Sequence, residues 1–251
     1  MKIDIEIIIL AAGLGTRMKS DKAKVLHTLL NRPMIMYVME TAKQLAGENI
    51  VVVVGHQAQI VKKTVLQEYA AKFALQEKQL GTGHAVQCAL PYLSSGERHV
   101  VILYGDVPLI RVRTLQAFIE KHIEGGNDLS VLAVEVNQPT GYGRIISDSR
   151  GRLTGIVEEA DATPDQKNIK IINSGIYCVN KTTLHHTIDQ LDANNAQKEM
   201  YLTDIVAIGH REGLGMGAII VADPLELTGI NSRHELKQIE NIIKSGQSER
   251  S

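Results

Sequence analysis

The run Ile5–Leu10 opens directly into a glycine-rich loop, Ala11–Met18, and this junction constrains the fold more than any other stretch of the chain. A nearly continuous β-branched run has no polar face to offer solvent, so it belongs in the middle of a sheet covered on both sides by helices. In open α/β sheets ligands bind outside the carboxyl ends of such strands, which makes the loop a candidate site. The same grammar recurs downstream. Met34–Leu45 has helical spacing, Ile50–Val54 is β-branched, Gln57 to about Gln67 reads as helix, Val100–Leu103 is a third strand and Thr114–Ile123 a helix. This alternation predicts repeated βαβ units, hence an α/β, Rossmann-like, mostly parallel mixed sheet flanked by helices.

The pattern changes near Asn127. Leu129–Val136, Arg144–Ser147, Leu153–Val157 and Ile171–Val179 read as strands joined by turns, and helices return only at Thr182–Leu191 and Thr203–Glu212. This half is expected to extend the first sheet and to supply part of a lid for a second substrate. Met216–Val221 is a late strand, and Ser232–Lys244 a closing helix capped by Asn231 or Ser232. The polar tail Ser245–Ser251 is expected to fray.

Charge and composition narrow the partners. The 251 residues carry 27 Lys+Arg against 28 Asp+Glu, a formal net charge of -1, so broad attraction to nucleic acid or an acidic membrane has no support. Aromatics are 4% with no Trp, which removes stacking platforms for single strands. Any anion site must therefore be local. Cys88 and Cys178 stand without metal-ligand spacing and read as two buried thiols of a reducing compartment. No apolar run approaches a membrane span, and the N-terminus lacks signal-peptide regions, so a cytoplasmic location is expected.

Three constellations carry chemistry. In Leu10-Ala11-Ala12-Gly13-Leu14-Gly15-Thr16-Arg17-Met18, Gly13 and Gly15 permit positive φ and close backbone approach to phosphate, while Arg17 and nearby Lys24 supply cations. A plain structural turn is the competing reading. The dinucleotide fingerprint fails for want of a third glycine, and Gly-Lys-Ser/Thr is absent. In Tyr104-Gly105-Asp106-Val107-Pro108-Leu109, the carboxylate follows a strand end, where it would suit Mg²⁺, which takes one or two carboxylates plus phosphates; a turn or cap Asp is the alternative. In Gln76–Ala85, an amide at Gln76 and the backbone at Gly81-Thr82 suit a base edge, with Thr82 as cap of a helix starting near Gly83. His84 reads as structural, since no nucleophile accompanies it.

Together these motifs resemble the sugar-phosphate nucleotidyltransferases. More narrowly, Gln-Leu-Gly-Thr-Gly-His-Ala (79–85), Tyr-Gly-Asp-Val-Pro-Leu (104–109), Thr-Gly-Tyr-Gly-Arg (140–144), Gly-Ile-Val-Glu (155–158), Asn-Ser-Gly (173–175) and Gly-Ile-Asn-Ser-Arg (229–233) are similar, in order, to the uridyltransferase domain of bifunctional N-acetylglucosamine-1-phosphate uridyltransferases/glucosamine-1-phosphate acetyltransferases. The resemblance implies that Leu10, Ala11, Ala12 and Gly13 with Gln76, Gly81 and Thr82 hold uridine. It implies that Arg17 and Lys24 engage the triphosphate and are catalytic, and that Tyr104 and Gly105 line the nucleotide-sugar site. Gly143, Glu158 and Asn173 would contact the amino sugar, and Asp106 and Asn231 would hold Mg²⁺, Asn231 also touching substrate. It implies a nucleotide half over about 1–126, a sugar half over 127–229 and a C-terminal helix and tail over 230–251. The implied reaction joins UTP and N-acetylglucosamine 1-phosphate, giving UDP-N-acetylglucosamine and pyrophosphate. Relatives using another base or sugar, and a non-catalytic nucleotide-sugar sensor, are the alternatives. Two departures stand out: Ala23 precedes Lys24 where the family often has Pro, and Ser174 replaces a frequent Thr. No hexapeptide repeats follow Ser251, so only the uridylyl reaction is expected, from a monomer or weak oligomer.

Overall fold

A computed structural model describes residues 4–96 and 98–248. In chain order the strands and helices are β1 (Ile5–Ala11), β2 (Thr28–Leu29), β3 (Arg32–Pro33), α1 (Met34–Ala46), β4 (Ile50–Val54), α2 (Ala58–Val65), β5 (Lys72–Leu75) and α3 (Thr82–Ala89). Then follow β6 (His99–Tyr104), α4 (Val112–Glu124), β7 (Leu129–Glu135), β8 (Arg144–Ser147), β9 (Leu153–Val157), α5 (Pro164–Lys167) and β10 (Ile171–Asn180). The chain closes with α6 (Lys181–Ile188), α7 (Asp204–Arg211), β11 (Met216–Val221) and α8 (Arg233–Ser248).

The main sheet has the order β11-β7-β10-β6-β1-β4-β5, with β8 and β9 attached beside β10. As the apolar pattern requires, β1 is central and parallel to both β4 and β6. Its side chains alternate between two cores. Ile5, Ile7, Ile9 and Ala11 join one face with residues of α1, α2 and α4, and Ile8 and Leu10, with Ala12 just past the strand, join the other with residues of α3, α6 and α7. Each fully buried Ile contributes about 1.5–3 kcal/mol, so this strand anchors both layers. Glu6 is the polar exception, buried with Oε1 accepting the Ser94 N–H at 2.8 Å.

From β1 the chain builds outward to β4 and β5, then returns to lay β6 on the other side. That reversal opens a crevice at the carboxyl ends of β1 and β6. The Gly105 N–H donates to Leu10 O at 2.9 Å, which pins the two strand ends together.

The second half is a mixed sheet, as expected. Strand β10 runs antiparallel between β6 and β7, and β11 forms a parallel edge. A bulge interrupts the β10–β7 ladder between Asn173 and Tyr177. Bulges re-aim side chains, and this one carries Asn173.

Several expectations are corrected. Gln57 precedes α2 in the left-handed region (φ 52) rather than beginning it, and its side chain is used on the loop before Lys24: Oε1 accepts the Ala23 N–H and Nε2 donates to Asp21 O, both at 2.9 Å. Strands β2, β3 and β5 and the short α5 were not foreseen. Ser245–Ser248 continue α8 instead of fraying; residues 249–251 lie outside the described residues. Cys178 is buried but Cys88 is only half-buried. Although its sequence spacing shows no ligand pattern, Cys178 sits with His99 and His122, their ligand atoms within 4.8 Å of one another. A hydrogen-bonded chain from His99 Nδ1 to His122 Nε2 (3.2 Å) and from His122 Nδ1 to Ser130 Oγ (2.9 Å) satisfies these rings. Among the described residues no helix is long and apolar enough to cross a membrane.

Candidate active site

The loop after β1 leaves the sheet at Ala12 and tightens at Gly15, whose φ of 64 is left-handed. A Cβ on Gly15 would lie 2.7 Å from Lys24 Cβ, so the glycine is what lets the Lys24 stem pack across the loop. Gly13 has no such requirement. It lacks a positive φ and has open space around it, so its expected turn role is corrected to that of a cavity wall.

A small third core brings the C-terminal helix to this loop. Met18, Leu29, Met34, Ile230 and Ile239 pack together, fastening the start of α8 beside Arg17. Ser232, not Asn231, caps that helix: Ser232 Oγ accepts the Glu235 N–H at 3.2 Å and Ser232 O accepts the Leu236 N–H at 3.0 Å. Glu235 in turn accepts the Asn231 N–H at 2.6 Å. Asn231 is thereby released from capping. Its Oδ1 accepts from Arg17 Nη2 at 2.9 Å and from Lys24 Nζ at 3.1 Å, while Nδ2 donates to Gly229 O at 3.2 Å.

Lys24 also forms a close ion pair with Asp106, which is 6% exposed. Four predicted residues from three distant segments, Arg17, Lys24, Asp106 and Asn231, therefore converge at the end of β6. Two hard oxygens, a carboxylate from Asp106 and an amide carbonyl from Asn231, meet around one ammonium. That donor set suits Mg²⁺, which prefers oxygen ligands and one or two carboxylates.

Two cavities meet here. The larger, about 360 Å³, is walled by Leu10–Thr16, Lys24, Gln76, Gly81, Thr82, Tyr104 and Asp106. The second, about 250 Å³, lies between Arg17, Thr140–Tyr142, Asn231 and Glu235 and shares Tyr104 and Asp106 with the first. In the larger cavity Gly81, φ 114, takes the cap position of α3 that Thr82 was expected to hold. Thr82 instead is the first helical residue, and its Oγ1 accepts the Leu202 N–H at 3.0 Å.

The remaining predicted residues, Gly105, Gly143, Glu158 and Asn173, line neither cavity. Gly143 abuts Glu158, where an added Cβ would sit 3.4 Å from Oε2. Glu158 Oε1 accepts from Thr203 Oγ1 at 3.2 Å, and burial pushes this carboxyl above its usual range. Burial also raises the Tyr104 phenol, with Glu158 and then Asp106 adding to the effect. Asn173 donates to the Tyr177 hydroxyl and accepts the Gly175 N–H, both at 2.9 Å, so its amide is held in one orientation. The loop 140–142 is anchored by Arg144, which is 1% exposed and binds Tyr142 O and, at 2.6 Å, Glu159.

Sequence reasoning missed Gln79, Tyr142, Glu199 and Glu235 among the cavity walls. Tyr142 lies inside a motif already singled out, and Glu235 is one helical turn beyond Asn231, so local signals for both existed. Glu199 comes from an irregular segment with no signal of its own.

Residues 6–223 match the family described as Nucleotidyl transferase. Two proteins named Bifunctional protein GlmU are similar: that of Trichlorobacter lovleyi is 44% identical over 94% of this chain and 52% of its own, and that of Geobacter metallireducens 46% identical over 94% and 49%. The chain thus spans about half the length of the curated relatives it matches. A putative glucose-1-phosphate thymidylyltransferase from Bacillus anthracis shares the fold at a TM-score of 0.72 and 19% identity, covering 95% of this chain and 94% of that one. HddC from Yersinia pseudotuberculosis does so at 0.67 and 20%, covering 95% and 99%. With the family matched across most of its length and the same fold in these structures, the chain belongs to the nucleotidyl transferase family.

Proposed function

We propose that the chain transfers UMP from UTP to N-acetyl-α-D-glucosamine 1-phosphate, releasing pyrophosphate, with residues 1–126 taking the nucleotide and 127–229 the sugar. The observation that carries this reading is the meeting of two cavities at Asp106, with Lys24, Arg17 and Asn231 converging on the junction. Transfer between two phosphorylated substrates needs such a junction: two anions must be brought together and the charge between them neutralised.

The sugar-phosphate oxygen is already an anion near neutral pH, so no general base is required. It attacks the α-phosphorus of UTP in line, and the bond from that phosphorus to the oxygen bridging the β-phosphate breaks. The electron pair leaves on pyrophosphate. Lys24 and Arg17 stabilise the negative charge that gathers on the α-phosphoryl oxygens and the leaving group. In this structure Asn231 Oδ1 accepts from both cations, an oxygen they would yield to a bound metal. Asp106 and Asn231 are the residues that would hold Mg²⁺, and a bound ion would supply Lewis-acid stabilisation of phosphate charge there. The walls Leu10–Gly13, Gln76, Gly81 and Thr82 receive the uridine and Tyr104, shared by both cavities, the nucleotide-sugar junction; Gly105, Gly143, Glu158 and Asn173, which line neither cavity, are assigned to the nucleotide-sugar on the family resemblance alone.

Pyrophosphate release measured with ATP, GTP, CTP, UTP and dTTP, each with several sugar 1-phosphates, tests the assignment. Turnover is expected with UTP and N-acetylglucosamine 1-phosphate above all other pairs. Preference for dTTP or CTP, or for an unacetylated sugar, would replace the substrate assignment. Tight nucleotide-sugar binding without turnover on any pair would favour a sensor.

A further inference from the structure

We propose that His84 is the positioning residue that fixes the amide of Gln76 with its oxygen toward the nucleotide, so that the cavity selects a base bearing an N3–H. The inference rests on the reading of the larger cavity as a nucleotide site.

Gln76 follows β5 and is 3% exposed. Its Nε2 lies 3.0 Å from Gly81 O and 3.1 Å from His84 Nδ1. A backbone carbonyl only accepts, so the amide end facing Gly81 must be the NH₂ group; the reverse orientation would set two oxygens against each other. That carbonyl cannot turn away. Gly81 has φ 114, and a side chain there would meet Met200 O at 2.5 Å. The flanking bonds Met200 N to Leu80 O and Gly83 N to Met200 O, both 2.8 Å, clamp the segment.

The second amide proton then points at His84 Nδ1, which must present a lone pair. The neutral ring accordingly carries its proton on Nε2, the atom 3.7 Å from Cys88 Sγ one helical turn away. With both amide protons committed to Gly81 and His84, Oε1 is the end left for the cavity that Gln76 lines. An acceptor at that point complements the N3–H of uracil or thymine. It opposes the N3 lone pair of cytosine, and a site built around one hydrogen bond rejects a base that leaves its polar group unpaired. His84 itself does not line the cavity. It acts through Gln76.

Two nearly isosteric variants test this. In His84→Asn the side-chain Oδ1 takes the place of Nδ1 and still accepts; in His84→Leu a methyl group stands there. The ratio of kcat/KM for UTP over CTP is measured by pyrophosphate release at saturating sugar phosphate, with calorimetric binding of UTP and CTP alongside. The wild type and His84→Asn should share the same ratio. In His84→Leu the ratio should fall about tenfold, through a raised KM for UTP with kcat little changed, the effect of losing one buried hydrogen bond. An unchanged ratio in a folded His84→Leu, or in His84→Ala should the leucine variant not fold, overturns the inference. Equal damage in the asparagine and leucine variants also overturns it, since packing alone would explain that result. If wild-type protein binds UTP over CTP but turns over neither, nucleotidyl transfer is refuted, while the binding ratios still decide the role of His84.

Discussion

Replacing Lys24 with methionine isolates its charge. The ammonium contacts the Asp106 carboxylate and lies 3.1 Å from Asn231 Oδ1, with the Lys24 and Asp106 side chains 19% and 9% exposed. At this depth solvent screens only partly. A unit charge about 4 Å from a developing phosphoryl charge contributes about 4 kcal/mol at an effective dielectric of about 20. Removing a preorganised electrostatic stabiliser typically costs about 3–4 kcal/mol in the barrier, so kcat should fall about 10²–10³-fold. Methionine keeps an unbranched stem that can still cross Gly15, so circular dichroism and the melting transition should confirm a native fold. The assay is steady-state pyrophosphate release at saturating UTP, sugar phosphate and Mg²⁺. A kcat within about threefold of wild type would refute the electrostatic role. Because Lys24 and Asp106 touch, their effects should not add: Lys24→Met with Asp106→Asn should be little slower than the worse single variant.

Gly15→Ala forces a side chain into left-handed backbone and against Lys24 Cβ at 2.7 Å; it should cost about 1–2 kcal/mol of stability in chemical denaturation and slow turnover by displacing Lys24. Unaltered stability and kcat would show that the loop conformation is unimportant. Glu158→Ala should raise the Michaelis constant for the sugar phosphate far more than that for UTP, and the opposite pattern would remove Glu158 from the sugar side. Asp204, at the start of α7, has its carboxyl raised to about 6 by burial and by Asp192 and Asp161. Its protonated form favours the folded state, so that contribution is full below about pH 4 and is lost as pH rises through about 6. Asp204→Asn should therefore stabilise the protein by about 1 kcal/mol at pH 8, the shift being discounted for partial exposure, and change little at pH 4. Equal melting temperatures for the two proteins at pH 8 would contradict this.

How far the sequence discloses the molecule varies by feature. Strand β1 and the loop after it were legible because a run buried on both faces has few places to go, and the positive φ at Gly15 follows from the turn it must make. The direction of β10 was not: a buried strand shows the same apolar run whether it lies parallel or antiparallel to its neighbours. Strand β5 escaped because its four residues expose Lys72 and Leu75, leaving only Ala74 fully buried as a signal. Asn231 and Ser232 are equally good caps by residue type. Only the packing of α8 against Met18 and Met34 decides that Ser232 caps and Asn231 faces Arg17 and Lys24. Thr82 was misjudged for a related reason, since its hydroxyl is claimed by the Leu202 N–H, 120 residues away.

The most direct test of nucleotidyl transfer follows the phosphorus itself. UTP labelled at the α-phosphate is incubated with the protein, N-acetylglucosamine 1-phosphate and Mg²⁺, and the products are separated. The label should appear in UDP-N-acetylglucosamine, with an equal amount of unlabelled pyrophosphate, and both should vanish when the metal is chelated. Label recovered in free UMP or UDP, or wholly in unreacted UTP, would contradict the account.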